Sequence, residues 1–188
     1  MTIAFYSVFT MLLVLGIVAA LYNRLIRSRN RVDTAWSDID VQLQRRYDLI
    51  PRLVKAVDQY GKYERATLQA VTALRAEAMR MADVDARGDA EEKLGAELGR
   101  LLALAESHPD LKANENFLEL QGELVETENY LQFARRYYNG SVRDYNTMTA
   151  TVPSNVVAGM FGFGERPFFQ KSSDDAAAVP LVELGRVE

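Results

Sequence analysis

From Thr2 to Asn23 the chain carries no charged side chain, and four arginines, Arg24, Arg27, Arg29 and Arg31, then fall within eight residues. Ile3 to Leu21 is rich in Leu, Val, Ile, Phe and Ala. A helix over that stretch is about 28 Å long, close to the roughly 30 Å hydrocarbon core of a bilayer. A core helix of a soluble protein would carry a polar stripe. Here only Ser7 and Thr10 interrupt the apolar run, and both hydroxyls can bond back to their own helix. Residues 1–23 therefore read as a transmembrane anchor. The competing reading is a cleaved secretion signal, with Val18 and Ala20 loosely meeting the cleavage rule. Such signals begin with a basic segment, and no Lys or Arg precedes Arg24. The positive-inside rule puts the arginine side in the cytoplasm, with the N-terminus outside and the chain crossing the cell membrane once. Arg24, Arg27, Arg29 and Arg31 then mark the membrane interface, as a topology signal or as ligands for anionic head groups.

Beyond the anchor, apolar residues recur every three or four positions, the period of an amphipathic helix. Val32, Trp36, Ile39, Leu43, Tyr47 and Ile50 form one stripe, and Leu53, Val57, Tyr60, Thr67, Val71, Leu74, Ala78 and Met81 a second. Leu94, Leu98, Leu101, Leu102 and Ala105 form a third; Phe117, Leu120, Leu124, Leu131, Tyr138, Val142 and Tyr145 form a fourth. Pro51 suits the first turn of a restarting helix. The stripe keeps phase across it, so one helix continuing through Pro51 fits as well. Asp85–Asp89 reads as a polar loop, and Ser107-His-Pro-Asp110 as a turn with Asp110 or Asn114 as the next cap. The expected fold is all-α: the transmembrane helix, then an antiparallel up-and-down four-helix bundle over residues 24–150. An even number of helices returns the chain to the membrane. Residues 151–170 are glycine-punctuated and aromatic, too short to span a bilayer, and suit either a lid on the bundle or the membrane interface. Residues 171–188 read as a flexible tail.

Three charges fall on or beside the stripes. Glu128 and Arg135 are in phase with Leu124, Leu131 and Tyr138, and Arg46 lies beside Leu43 and Tyr47. Charges on an apolar face need partners. Arg46, Glu128 and Arg135 are expected to form an ionic layer that sets helix register, with an anion or peptide site as the alternative. Asp33, Asp38, Asp40, Arg45, Arg136, Tyr137, Asn139, Arg143 and Asp144 lie largely off the stripes and suit a solvated face or a contact surface.

Several stretches closely resemble the LemA family. They are Tyr22–Asn30, Ala35–Arg46 with Trp36, Asp40 and Arg45, Asp48–Pro51, and Thr127-Glu-Asn. Further on they are Ala134–Asn139 with Arg136 and Tyr138, Val142–Asn146 with Asp144 and Tyr145, and Pro153-Ser-Asn155. The resemblance runs from about residue 1 to 169. It implies a single-pass membrane protein with a long cytoplasmic helical domain, and it hands over no enzyme activity. Family members associated with magnetosome membranes make membrane organisation the class of function it implies.

Composition removes most catalytic alternatives. The chain has no Cys and one His, so thiolate metal sites, cysteine nucleophiles and multi-histidine centres are excluded. No phosphate loop, nucleophile elbow or zinc-protease motif is present. His108, the single histidine, sits in a Ser-His-Pro-Asp turn and reads as a surface turn residue, not a metal ligand. A net charge of −4 gives no reason to expect nucleic-acid binding. The sequence thus points to a non-enzymatic scaffold or adaptor with no cofactor and no metal, whose partners are the lipid bilayer and other proteins or further copies of itself. The alternative is a tethered ligand-binding or catalytic domain.

Overall fold

The computed structural model describes residues 2–59 and 65–169, and all of its regular elements are helices. Between Ile17 and Ile50 there is neither Gly nor Pro, so nothing interrupts propagation. The anchor and the first body helix are accordingly one rod, α1, Thr2–Asp58, about 85 Å long. Then come α2 (Arg65–Ala78), α3 (Val84–Glu106), a single turn α4 (Pro109–Lys112), α5 (Glu115–Ala150) and α6 (Ser154–Phe161).

One open alternative is decided and one local expectation changes. Of the two readings at Pro51, the continuous helix is the one found: α1 runs through it. Proline has no N–H, so the carbonyl of Tyr47, four residues back, loses its helical donor. Nε of Arg75, on α2, donates to that carbonyl at 2.6 Å instead. Asp85–Asp89 is not a loop. Asp83 caps α3, its side chain accepting from the N–H groups of Asp85 and Ala86, so the polar run forms the first turns of the helix. Asn114 caps α5 through Phe117 N–H.

Two long stripes build the core. Along α1, Leu25, Val32, Ala35, Ile39, Leu43, Tyr47, Ile50, Leu53 and Val57 are buried. Along α5 the buried positions are Phe117, Leu120, Leu124, Thr127, Leu131, Tyr138, Ser141, Val142 and Tyr145. Steps of three and four, averaging close to one helical turn, keep each seam turned toward its partner. Contacts that ascend α1 descend α5: Trp36 meets Tyr138, Arg46 meets Glu128, and Arg52 meets Glu123. At the far end Tyr22 meets Phe161, the last residue of α6, and Phe163 just beyond it. The region expected to be a flexible tail, residues 171–188, lies outside the described residues, as do residues 60–64 with the stripe position Tyr60.

Candidate functional site

Arg46 and Tyr47, adjacent on α1, form a polar hub that three other helices reach. The Arg46 side chain is almost fully buried, and its Nη1 lies 3.1 Å from Glu91 Oε2 and 3.4 Å from Glu128 Oε2. Tyr47 Oη donates to the other Glu91 oxygen. Glu91 on α3 is itself buried, whereas Glu128 on α5 is more than a third exposed. Glu91 is therefore the counter-charge that burial makes indispensable. Gly95, one turn beyond Glu91, leaves room for the guanidinium: a Cβ there would lie 3.3 Å from Arg46 Nη2. Burial pushes the Tyr47 phenol well above its ordinary value, and the bond to the Glu91 carboxylate adds to the shift. The fourth helix, α2, reaches the hub through Arg75 on the Tyr47 carbonyl.

Arg135 makes a different contact from the one expected of it. It stacks over Phe169 at 5.2 Å, and its Nε is buried without an acceptor. Burial lowers its pKa, and the charge of Glu128 opposes that shift.

A second cluster holds the C-terminal strap. Trp36 packs on Tyr138 and Phe169, with Arg87 over the indole and bridged to Asp40 at 2.6 Å. Asn139 donates from Nδ2 to Phe169 O and accepts from Phe169 N at Oδ1. Asn146 does the same with Arg166. Seven residues of helix rise about 10.5 Å, and three residues of extended chain cover about 10 Å, so the two amides match the strap's spacing. Tyr138 Oη donates to Pro167 O, and Arg166 bridges to Asp33.

The model of one family matches residues 35–184. The chain belongs to the LemA family. Protein LemA of Metamycoplasma hominis is 27% identical to it, over 96% of this chain and 84% of that protein. Magnetosome protein MamQ 2 of Paramagnetospirillum magneticum is 24% identical, over 93% of this chain and 74% of its own. Magnetosome protein MamQ of Magnetospirillum gryphiswaldense is 22% identical, over 86% and 68%.

The LemA signature residues take up distinct roles in this fold. Tyr138 and Tyr145 are buried, so they serve the core and present no surface. Burial raises both phenols, against the nearby Arg166 charge. Asp33, Asp40, Asn139 and Arg45 are engaged within the chain, the last with Glu126 at 3.6 Å. Asn30 and Pro51 are exposed on α1. Pro153 precedes α6, and Asn155 has a buried Oδ1 without a partner. Arg24, Arg27, Arg29 and Arg31 are exposed just beyond the apolar part of α1.

What stays open is one face of α5 beside α1. Tyr130, Phe133 and Tyr137, spaced as neighbours on one helix face, are 48%, 62% and 54% exposed, and Val41 of α1 is 63% exposed. Together with Asp38 and Gln42 they line a shallow hollow. Arg136 caps the Phe133 ring at 4.8 Å. A second hollow beside it is lined by Arg31, Arg136, Tyr137, Arg143 and Asp144. Glu91 was missed by sequence reasoning, although it stands in phase with Leu94 and Leu98; a charge on an apolar stripe was the available signal.

The N-terminal part of α1 is long and apolar enough to cross a membrane, and the window that qualifies it has no buried residue. Ile3, Phe5, Phe9, Leu12 and Leu15 are each more than half exposed. Water does not tolerate a contiguous apolar surface of that extent. Among the described residues, no group of three His, Cys, Asp or Glu side chains is placed to hold a metal ion.

Proposed function

We propose that this LemA-family chain is a membrane-anchored scaffold or adaptor that presents the open α5 face to protein partners or to a second copy. The observation that carries the reading is the aromatic stripe of Tyr130, Phe133 and Tyr137 beside Val41, left exposed on one face of α5. Aromatic side chains of this kind anchor protein interfaces. Confinement to a membrane raises effective concentration, so a modest patch suffices. The relatives named as magnetosome proteins support a role in organising membranes.

In this reading residues 1–23 cross the membrane once with the N-terminus outside, because Arg24, Arg27, Arg29 and Arg31 hold their end in the cytoplasm. Residues 24–150 act as an antiparallel up-and-down four-helix bundle of α1, α2, α3 and α5, and residues 151–169 pack at its membrane end. The Arg46–Glu128 pair, extended by Glu91 and with Arg135 in the field of Glu128, sets register and does no chemistry. No catalytic residue or cofactor is assigned.

The test is crosslinking with mass spectrometry on native membranes, using Lys55, Lys93 and Lys112. Links between copies, or to one recurring membrane protein, that disappear in Phe133→Asp are expected. Only intrachain links, from a chain that runs as a monomer in mild detergent, would sink the scaffold reading. A second reading, a tethered ligand-binding domain, draws on the buried Nε atoms of Arg46, Arg87 and Arg135, which have no acceptor. It requires a small anion to raise the thermal stability of the detergent-solubilised chain, and R135A to abolish that rise.

A further inference from the structure

The short helix α6 sits at a particular level of the molecule. Val152, Pro153 and Ser154 share a hollow with Leu21, Arg24 and Leu25 of α1. At its other end, Phe161 and the following Phe163 pack on Tyr22, with ring centroids 4.8 and 5.6 Å away. Eight helical residues cover about 12 Å, so a helix running along α1 would shift its contacts by about eight residues from end to end. The contacts instead stay within Leu21–Leu25 at both ends. Hence α6 lies across α1, not along it.

That level is where the uncharged stretch of α1 stops and Arg24 begins. A helix crossing a membrane-spanning helix there lies in the plane of the bilayer surface. Its composition fits. From Thr151 to Gly164 there is no charged residue, and the next is Glu165. Val157 and Ala158 are buried against α1 and α5. On the opposite face Val156 and Met160 are 60% and 70% exposed, and Val152 beside them is 80% exposed. At 100° per residue, Val156 and Gly159 lie diametrically across from the packed pair, with Met160 flanking them. Arg24 lines the same hollow as Val152 and Ser154, and an arginine beside an exposed apolar face is the pairing that suits an interfacial helix at anionic head groups.

We propose that α6 is a bilayer-surface helix, with Val152, Val156 and Met160 seated in the interfacial layer of the membrane that the anchor enters. This rests on the anchor's spanning that membrane. Two attachments on one rigid body, α1 through the bilayer and α6 on it, hold the bundle upright and fix which way the α5 aromatic face points.

The absence of cysteine makes the test direct. Full-length chains with Val156→Cys, Met160→Cys, Leu12→Cys or Leu118→Cys are each labelled with an environment-sensitive fluorophore. They are reconstituted into phosphatidylethanolamine–phosphatidylglycerol vesicles. Leu12 reports the anchor, and Leu118, on α5 far from the membrane end, reports water. Labels at 156 and 160 are expected to show blue-shifted emission, quenching by nitroxides placed near the head groups, and several-fold less quenching by aqueous iodide than the label at 118. Iodide quenching at 156 and 160 equal to that at 118, with the label at 12 still quenched by lipid nitroxides, overturns the proposal while leaving the anchor intact. Iodide access at 12 overturns the spanning reading and this proposal together. A disulfide between copies through unlabelled Val156→Cys assigns the face to a second copy and equally overturns it.

Discussion

Replacing Glu91 by alanine tests whether the polar hub holds the helices in register. In the native fold Arg46 is 4% exposed and has two carboxylate partners. The substitution removes the buried one and leaves Glu128, which is partly solvated and 3.4 Å away. It also strips the Tyr47 hydroxyl of its acceptor. Breaking a buried ion pair from one side costs about 3–5 kcal/mol, because the surviving charge stays desolvated. At about 2–4 °C per kcal/mol for a chain of this size, the midpoint should fall by roughly 6–20 °C. Thermal unfolding in detergent, followed by circular dichroism and by the fluorescence of Trp36, the single tryptophan, measures it. Glu128→Gln should cost no more than about 1 kcal/mol, since its pairing is solvent-screened. Removing both charges, in Arg46→Met with Glu91→Leu, should recover much of the loss, because the desolvation penalty goes with them. A Glu91→Ala midpoint within about 2 °C of the parent (under ~1 kcal/mol on the same scale), or a double variant as unstable as the single one, would refute the reasoning.

Three further outcomes are expected. Arg75→Ala leaves the Tyr47 carbonyl without a donor and should cost about 1–3 kcal/mol. In a Pro51→Ala background, where a backbone N–H is restored, the same change should cost far less, a coupling that chemical denaturation in a double-mutant cycle reads directly. Asn139→Ala removes both bonds to Phe169; it should lower stability by about 1–3 kcal/mol and change the Trp36 emission, and unchanged emission would show the strap held by other means. Stability should fall as the solution turns alkaline. The folded pKa values of Tyr47, Tyr138 and Tyr145 stand above the ordinary value of 10. Above that pH the native state holds protons that the unfolded chain has released. Their contribution is full below about pH 10 and declines above it, by up to about 1.4 kcal/mol per pH unit for each phenol still protonated in the fold. Melts across that range should show the decline, and Tyr47→Phe should flatten it.

Much of this architecture is legible residue by residue. A 3.6-residue period in apolar side chains reports which face of a helix is buried, since burial acts on each position separately. The stripes through Ile39 and Leu43, and through Leu124 and Leu131, are therefore the core seams. The segments left open or misread are those where a local signal competes with a second interaction. Pro51 leaves a break and a continuous helix both open, because its missing N–H orphans a carbonyl, and Arg75, 28 residues beyond Tyr47, supplies the substitute donor. Asp85–Asp89 reads as a loop from its polarity, but the Asp83 cap starts the helix before it.

The sequence by itself determined the helices, the uncharged span that needs a non-aqueous surrounding, and the absence of thiol and multi-histidine chemistry. Those follow from composition and from interactions within a few residues. Tertiary structure alone decided which charges became partners. Arg46 chose Glu91, Arg135 chose an aromatic ring, and Asn139 and Asn146 turned to the backbone of a strap some 20 to 30 residues away. Which aromatic residues stayed in water was already legible: Tyr138 lies on the fourth stripe and is buried, and Tyr137 lies off it and is exposed. Periodicity ranks the faces of one helix, but pairing across helices depends on distance and desolvation, which exist only once the chain has folded.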